Sequence, residues 1–395
     1  MAKGSLDYLK ERLDELEEQG LRQHPRTLEG EQRARARFDG KDVINLASNN
    51  YLGLAAHPKL KEAAARAAVD YGAGSGAVRT IAGTMTLHRE LERRFAAFKG
   101  AEAALMFQSG FTSNAGTVAA ILSPEDVIVS DQLNHASIID GARLSRAEIK
   151  VFPHKDAEAA DQLLAETARE GRRQLLITDG VFSMDGDIAP LAPLVDVADH
   201  HGAIMMVDDA HASGVLGPGG KGTVAHFDID PGRVDIQVGT LSKAIGVLGG
   251  FIAGPPHLID WLVNRGRPYL FSTSAPPPVA AACIAALDVI EAEPERIDRL
   301  WENTGFFKEG LRTLGFDTGM SETPITPVIA GEAQTAQDLS RLLFEDGVFT
   351  PAIVFPTVPK GQSRVRTIVT AEHTRDDLQQ ALEAFERVGR KLGLL

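Results

Sequence analysis

The sequence is short of the residues that several kinds of protein depend on. A single cysteine, Cys283, among 395 residues excludes an intrachain disulfide framework and any cysteine-cluster metal site. It lies in the apolar run Val279–Leu287 and reads as a small buried residue. That run falls well short of the ~20 residues a membrane-spanning helix needs, and the charged N-terminus lacks a signal-peptide core. The expected location is therefore the cytoplasm. There is no basic excess either: 41 Lys+Arg against 54 Asp+Glu leaves a charge of −13. Neither nucleic acid nor an anionic membrane is then expected as a partner. The 11 histidines contain one adjacent pair, His200-His201, and no H-E-x-x-H pattern, so no metal is expected.

What is present is an ordinary globular balance, 44% apolar and 24% charged, at a length that suits two or three domains. Leu6, Leu9, Leu13 and Leu16 recur at helical spacing and predict an amphipathic helix closed by Gly20. This N-terminal arm (1–42) has too little core of its own and is expected to pack across another surface. From 43 to 290, unbroken apolar runs alternate with helical patterns, which predicts an α/β unit with a mostly parallel sheet covered on both faces. The strand candidates are Val43–Ala47, Ala103–Phe107, Val127–Ser130, Ile149–Phe152, Gln174–Asp179, Ile204–Asp208 and Val234–Thr240. Beyond Pro276-Pro277-Pro278 the pattern changes to a smaller α+β unit, 291–395.

Two glycine-rich loops resemble nucleotide sites and fail as such. In Gly72-Ala73-Gly74-Ser75-Gly76 the position of a third fingerprint glycine holds Ala77, and the loop follows a helix, not a strand. In Gly217–Thr223, Gly222 separates Lys221 from Thr223. Both are expected to be turns that need positive φ or close backbone approach. Ser109-Gly110-Phe111-Thr112 is different, because it joins a strand to a helix and can be either an anion cradle or a plain Ser cap.

Ligands of open α/β sheets bind beyond the carboxyl ends of strands. Three such ends carry reactive groups: Asp208-Asp209-Ala210-His211, Thr240-Leu241-Ser242-Lys243 and Leu133-Asn134-His135-Ala136-Ser137. Singly each has a dull reading, as a cap, a solvated lysine or a core histidine. Together they meet the demands of pyridoxal phosphate (PLP), which needs a Schiff-base lysine, a carboxylate for the pyridine nitrogen, a donor for the phenolic oxygen and a phosphate cradle.

On these motifs the sequence resembles the α-oxoamine synthases, PLP enzymes of the fold-type I class. Further matching segments are Ser48–Leu54, Val78–Thr84, Asp179–Gly186 and Arg364-Val365-Arg366, so the resemblance runs from about Asn45 to the C-terminus. It implies Lys243 as Schiff-base lysine and proton-transfer base, with Asp208 on the pyridinium. His211 is implied on the phenolic oxygen and His135 over the ring. Ser109, Gly110, Phe111 and Thr240 are implied around the phosphate. Ser183 matches the position that binds the acyl carbonyl or substrate carboxylate, and Asn49 and Arg366 match those that grip the amino-acid carboxylate. Ser272 corresponds to a residue that reaches the neighbouring subunit's phosphate, which implies a homodimer with shared sites.

Two reactions are implied. The stretches Asn134–Gly141, Arg267–Ser272 and Pro359–Gln362 are most similar to enzymes that condense glycine with an acyl-CoA to give 2-amino-3-oxobutyrate. The stretches Gly74–Thr84 and Phe271–Ser274 are similar to bifunctional forms, which also condense alanine with a pimeloyl thioester, with decarboxylation, to 8-amino-7-oxononanoate. Arg22 and Arg26 are candidates to meet CoA phosphates.

Overall fold

The computed structural model describes residues 4–19 and 21–395. In chain order its strands are β1 (Arg35–Phe38), β2 (Lys41–Asn45), β3 (Ala103–Phe107), β4 (Val127–Asp131), β5 (Glu148–Phe152), β6 (Gln174–Asp179), β7 (Ile204–Asp208), β8 (Ile236–Thr240), β9 (Gly250–Gly254), β10 (Ile325–Gly331), β11 (Val348–Phe349), β12 (Ala352–Ile353) and β13 (Ser363–Ile368). Seven form the central sheet in the order β3-β9-β8-β7-β6-β4-β5. From β8 to β5 the pairings are parallel, and β9 runs antiparallel to both of its neighbours. This is the expected α/β architecture of a fold-type I PLP transferase.

The central strands are almost wholly buried because their middles are apolar, with polar residues such as Asp131, Asp179 and Asp208 confined mainly to their ends. Leu175, Ile177, Met206 and Val238 face the helices Gly110–Ile121 and Ala136–Ser145, whereas Val129, Leu176, Met205 and Val207 face Ala157–Thr167 and Leu191–His201. Neighbours in sequence thus point to opposite covered faces, as strand pleating requires. β9 was not among the expected strands, since its run Gly250-Phe251-Ile252-Ala253-Gly254 is punctuated by glycine. Glycine is required at Gly250, where a Cβ would lie 2.5 Å from the backbone of Ser109.

One expected strand belongs elsewhere. Val43–Ala47 corresponds to β2, which pairs with β1 and, in parallel, with β11 in a separate three-stranded sheet. Ile44 and Leu46 accordingly join the core built by the C-terminal helices Ala333–Glu345 and Arg375–Leu392. β10, β13 and β12 make a third, antiparallel sheet.

The N-terminal helix spans Tyr8–Glu18 and buries none of its residues; Leu6, Leu9, Leu13 and Leu16 all stand exposed. Gly20, expected to close it, lies outside the described residues. Gly217, Gly219, Gly220 and Gly222 have positive φ, as do Gly72 and Gly76, so these loops are turns as expected. Among the described residues no helix is long and apolar enough to cross a membrane.

Candidate active site

Polar residues gather where β4, β6, β7 and β8 end. Asp179 and Asp208 are register partners at the ends of β6 and β7. Here a cavity of about 190 Å³ is lined by Ser109, Gly110, Phe111, His135, Ser183, Asp208, His211, Thr240 and Lys243. A larger groove of about 480 Å³ lies on the surface beside Trp261, lined mainly by apolar side chains.

The Lys243 amine makes no hydrogen bond or ion pair among the described residues; only its carbonyl is engaged, accepting the Gly246 N–H at 2.9 Å. Burial, working against the carboxylates of Asp208 and Asp179, brings its amine down to about 8. Asp208 is buried and held from two sides: Asn114 Nδ2 donates to Oδ2 at 2.5 Å and the Ala210 N–H to Oδ1 at 2.8 Å. Burial, and then the charge of Asp208, raises Asp179 well above the usual carboxylate range. Asp179 also accepts the His135 N–H at 2.7 Å.

The two histidines are held neutral, chiefly by burial, which lowers His135 and lowers His211 well below the ordinary imidazole value. His135 Nδ1 lies 2.7 Å from Ser137 Oγ, and the same hydroxyl accepts from Asn114 at 2.9 Å. His211 Nδ1 lies 2.7 Å from the buried Tyr51 hydroxyl, leaving Nε2 to the cavity that the side chain lines.

Ser109 caps the helix Gly110–Ile121 by accepting the Thr112 N–H at 3.1 Å. The Ser cap is present, and it does not use up the whole helix terminus. The first N–H groups of a helix have no partner within it; Thr112 and Ser113 are satisfied by Ser109, which leaves those of Gly110 and Phe111 beside the cavity. A Cβ on Gly110 would close to 3.3 Å on Thr240.

Arg366, on β13, reaches the Ser183 carbonyl at 3.1 Å and so meets the site from the C-terminal sheet. Its Nε is a buried donor without a partner, as an expected carboxylate site requires, whereas the buried unpartnered atom of Asn49 is Oδ1, an acceptor that a carboxylate cannot satisfy. Ser272, half-buried after the short helix Arg267–Leu270, does not line this chain's cavity. Arg26 is committed elsewhere, paired with Asp39 at 3.0 Å and lying over the Phe344 ring at 3.5 Å. Arg22 faces Glu17 at 3.5 Å.

Sequence reasoning missed Asn114, the residue that joins Asp208 to Ser137. Nothing local marks an asparagine inside an apolar helix as a bridge. Asp179, Ser137 and Tyr51 stood inside recognised motifs without a role.

An unpartnered amine facing carboxylates, with helix N–H groups beside it, suits an aldehyde cofactor that carries a phosphate. The aminotransferase class I and II family model matches residues 41–385, and the chain belongs to that family of PLP enzymes. Within it the chain is an α-oxoamine synthase, a PLP-dependent acyltransferase. It is 59% identical to the 8-amino-7-oxononanoate synthase of Symbiobacterium thermophilum over 98% of this chain and 99% of that one. Among solved structures, a serine palmitoyltransferase from S. paucimobilis with bound PLP-myriocin matches with a TM-score of 0.93 at 30% identity, covering 100% of both chains. The 8-amino-7-oxononanoate synthase of Francisella tularensis matches with a TM-score of 0.76 at 29% identity, over 89% of this chain and 99% of that one.

Proposed function

We propose that the protein condenses alanine with a pimeloyl thioester to give 8-amino-7-oxononanoate, carbon dioxide and free thiol, a step of biotin synthesis. One carbon–carbon bond forms, between the amino acid's α-carbon and the thioester carbonyl; the bonds to the carboxylate and to sulfur break. The observation that carries the reading is Lys243, an unpartnered amine beside Asp208, in a chain 59% identical along its length to an 8-amino-7-oxononanoate synthase. The same likeness favours this reaction over glycine condensation, which the sequence motifs alone put first.

When bound, PLP supplies an aldehyde that takes up amines and a ring that accepts the electron pair released at the α-carbon. Lys243 would anchor it and, once displaced by the incoming amino acid, move the α-proton; an amine near 8 suits that task at neutral pH. Asp208, fixed by Asn114 and Ala210, would keep the pyridine nitrogen protonated. His211 would donate from Nε2 to the phenolic oxygen, and His135 would cover the ring face. Ser109, Gly110, Phe111 and Thr240 would hold the phosphate. Arg366, whose buried Nε donor has no other partner, would orient the amino-acid carboxylate, with Asn49 donating to it from its amide nitrogen. Ser183 would meet the acyl carbonyl.

The working unit in this proposal is a homodimer, with residues 43–290 binding the cofactor, 291–395 contributing Arg366, and 1–42 forming an arm. Ser272 of each subunit would reach the other's phosphate, so Ser272→Ala should weaken PLP binding; unchanged affinity counts against the shared site. Thiol release decides the reaction. Alanine with pimeloyl-CoA should outpace glycine with acetyl-CoA, and the reverse order would restore the glycine reading.

A further inference from the structure

His154 belongs to none of the groups above, yet it lies at a junction of the loops that build the site. It follows β5, and each of its ring nitrogens faces a buried carboxylate: Nδ1 is 3.0 Å from Asp131 Oδ1 and Nε2 is 2.9 Å from Asp187 Oδ2. Asp131, at the end of β4, also accepts the Leu133 N–H at 2.8 Å and the Lys155 N–H at 2.9 Å, which fixes the loop leading to His135. Asp187 closes the turn that carries Ser183: the Phe182 N–H donates to the Asp187 carbonyl at 3.1 Å and the Gly186 N–H to the Phe182 carbonyl at 2.8 Å. The imidazole also meets the Phe182 ring edge to face, with centroids 4.3 Å apart.

The far side of the same turn is held by the C-terminal unit. Arg364 pairs with Asp185 at 2.5 Å, Arg366 reaches the Ser183 carbonyl, and the Gly186 carbonyl accepts from Glu322 N, Thr323 N and Thr323 Oγ1. A Cβ on Gly186 would lie 2.1 Å from the Ile325 carbonyl oxygen, so the turn approaches β10 too closely for any side chain there. At their bases the Ser183 turn and the His135 loop are joined by Asp179, which accepts the His135 N–H at 2.7 Å and donates its own N–H to Asn134 Oδ1 at 2.7 Å. Further out they are joined by His154, which bridges Asp131 to Asp187 with Lys155 Nζ beside it, 3.2 Å from Asp187.

We propose that His154 is a positioning residue that sets the width of the cleft between Ser183 and His135, and with it the fit of the acyl thioester. The proposal rests on the acyl-transfer reading above. The charged groups around the ring are Asp131 from β4, Asp187 from the turn, Lys155 beside it, and Glu322 from the segment before β10, which Lys155 Nζ meets at 3.3 Å. A ring donating from both nitrogens is a cation. Burial opposes that charge, but the hydrogen bonds to Asp131 and Asp187 outweigh it and raise His154 to about 9.

The test is steady-state kinetics on PLP-loaded His154→Gln enzyme, whose side chain bonds one carboxylate but cannot bridge both. KM for pimeloyl-CoA should rise between about 10- and 100-fold, the cost of misplacing a positioned group, with PLP content and the KM for alanine unchanged. In the wild type the same rise should set in as pH passes about 9, whereas the variant has it at every pH. The double variant with Asp187→Asn should be no worse than the more damaging single one, because both cut one tie. Wild-type KM in His154→Gln, or additive losses in the double variant, would overturn the proposal. If His154→Gln does not fold, Asp187→Asn carries the same test.

Circular dichroism of the bound cofactor gives a readout apart from turnover, since it senses groups over the ring. The band should weaken in His154→Gln, and an unchanged band would count against the tie. A wild-type enzyme that releases no thiol from any acyl thioester sinks the acyl-transfer reading instead, and the dichroism still decides whether His154 positions the His135 loop.

Discussion

Two lysines sit beside consecutive aspartates at the end of β7, and they do opposite things. Lys99 is buried with Asp209, its ammonium 2.7 Å from Oδ2 and also bonded to the Lys221 carbonyl at 2.5 Å. Asp209 is completed by the N–H and hydroxyl of Thr223. Every charge there has a partner, and the glycine-rich loop 217–223 exists to wrap it: a Cβ on Gly222 would lie 2.0 Å from Asp209 Oδ2. Lys243 lies near Asp208, but its amine has no partner among the described residues and opens on a cavity. A satisfied buried pair fixes structure. An amine that the fold has desolvated and left without a partner is available for chemistry. The residue type is the same in the two places; Lys99 is fully enclosed and paired, whereas Lys243 is half-buried at the cavity and its amine has no partner among the described residues.

The largest contrast should come from removing each lysine. Lys243→Ala is expected to lose turnover by about a thousandfold or more, on the scale of losing a general base, while the melting temperature of the cofactor-free protein barely moves. Lys99→Met should do the reverse. It strands the Asp209 charge, costs about 3–5 kcal/mol of stability, and leaves the turnover of the molecules that remain folded largely intact. Urea unfolding followed beside thiol release checks both.

A second effect separates the amines by titration. In cofactor-free protein, Lys243 should react with an amine-selective acylating reagent with a half-maximal rate near pH 8, since the ammonium is inert below that value and the free amine reacts above it. Lys99 should stay unlabelled. A half-maximal pH near 10 for Lys243 would mean that burial does not depress it.

The smallest effect concerns His154, another paired cation. Its folded pKa of about 9 exceeds the ordinary value of about 6.5, so its stabilising contribution is complete below pH ~6.5 and is lost as pH rises through about 9. The stability gap between wild type and His154→Gln should shrink across that window. A gap that widened with pH would refute the charged assignment.

How much of this was legible in the sequence follows from what is local. β3, β6 and β7 stand out as unbroken apolar runs, and the polar residues at their ends mark the site. β2 was read into the central sheet because its apolar run looks like the others; only its pairing with β11, some 300 residues later, assigns it elsewhere. β9 was hidden because glycine, needed where it passes behind Ser109, erases the strand signal. Asp208 and Lys243 announce themselves by chemistry and position. Asn114, His154 and the Lys99–Asp209 pair act through partners distant in sequence, and one chain read alone carries no mark of such contacts.

The most direct test reduces the PLP-loaded protein with borohydride and maps the pyridoxyl-labelled peptide by mass spectrometry. The label should lie on Lys243 alone. A label on Lys99 or any other lysine, or none at all, would contradict the claim that an amine the fold leaves without a partner is what binds the cofactor.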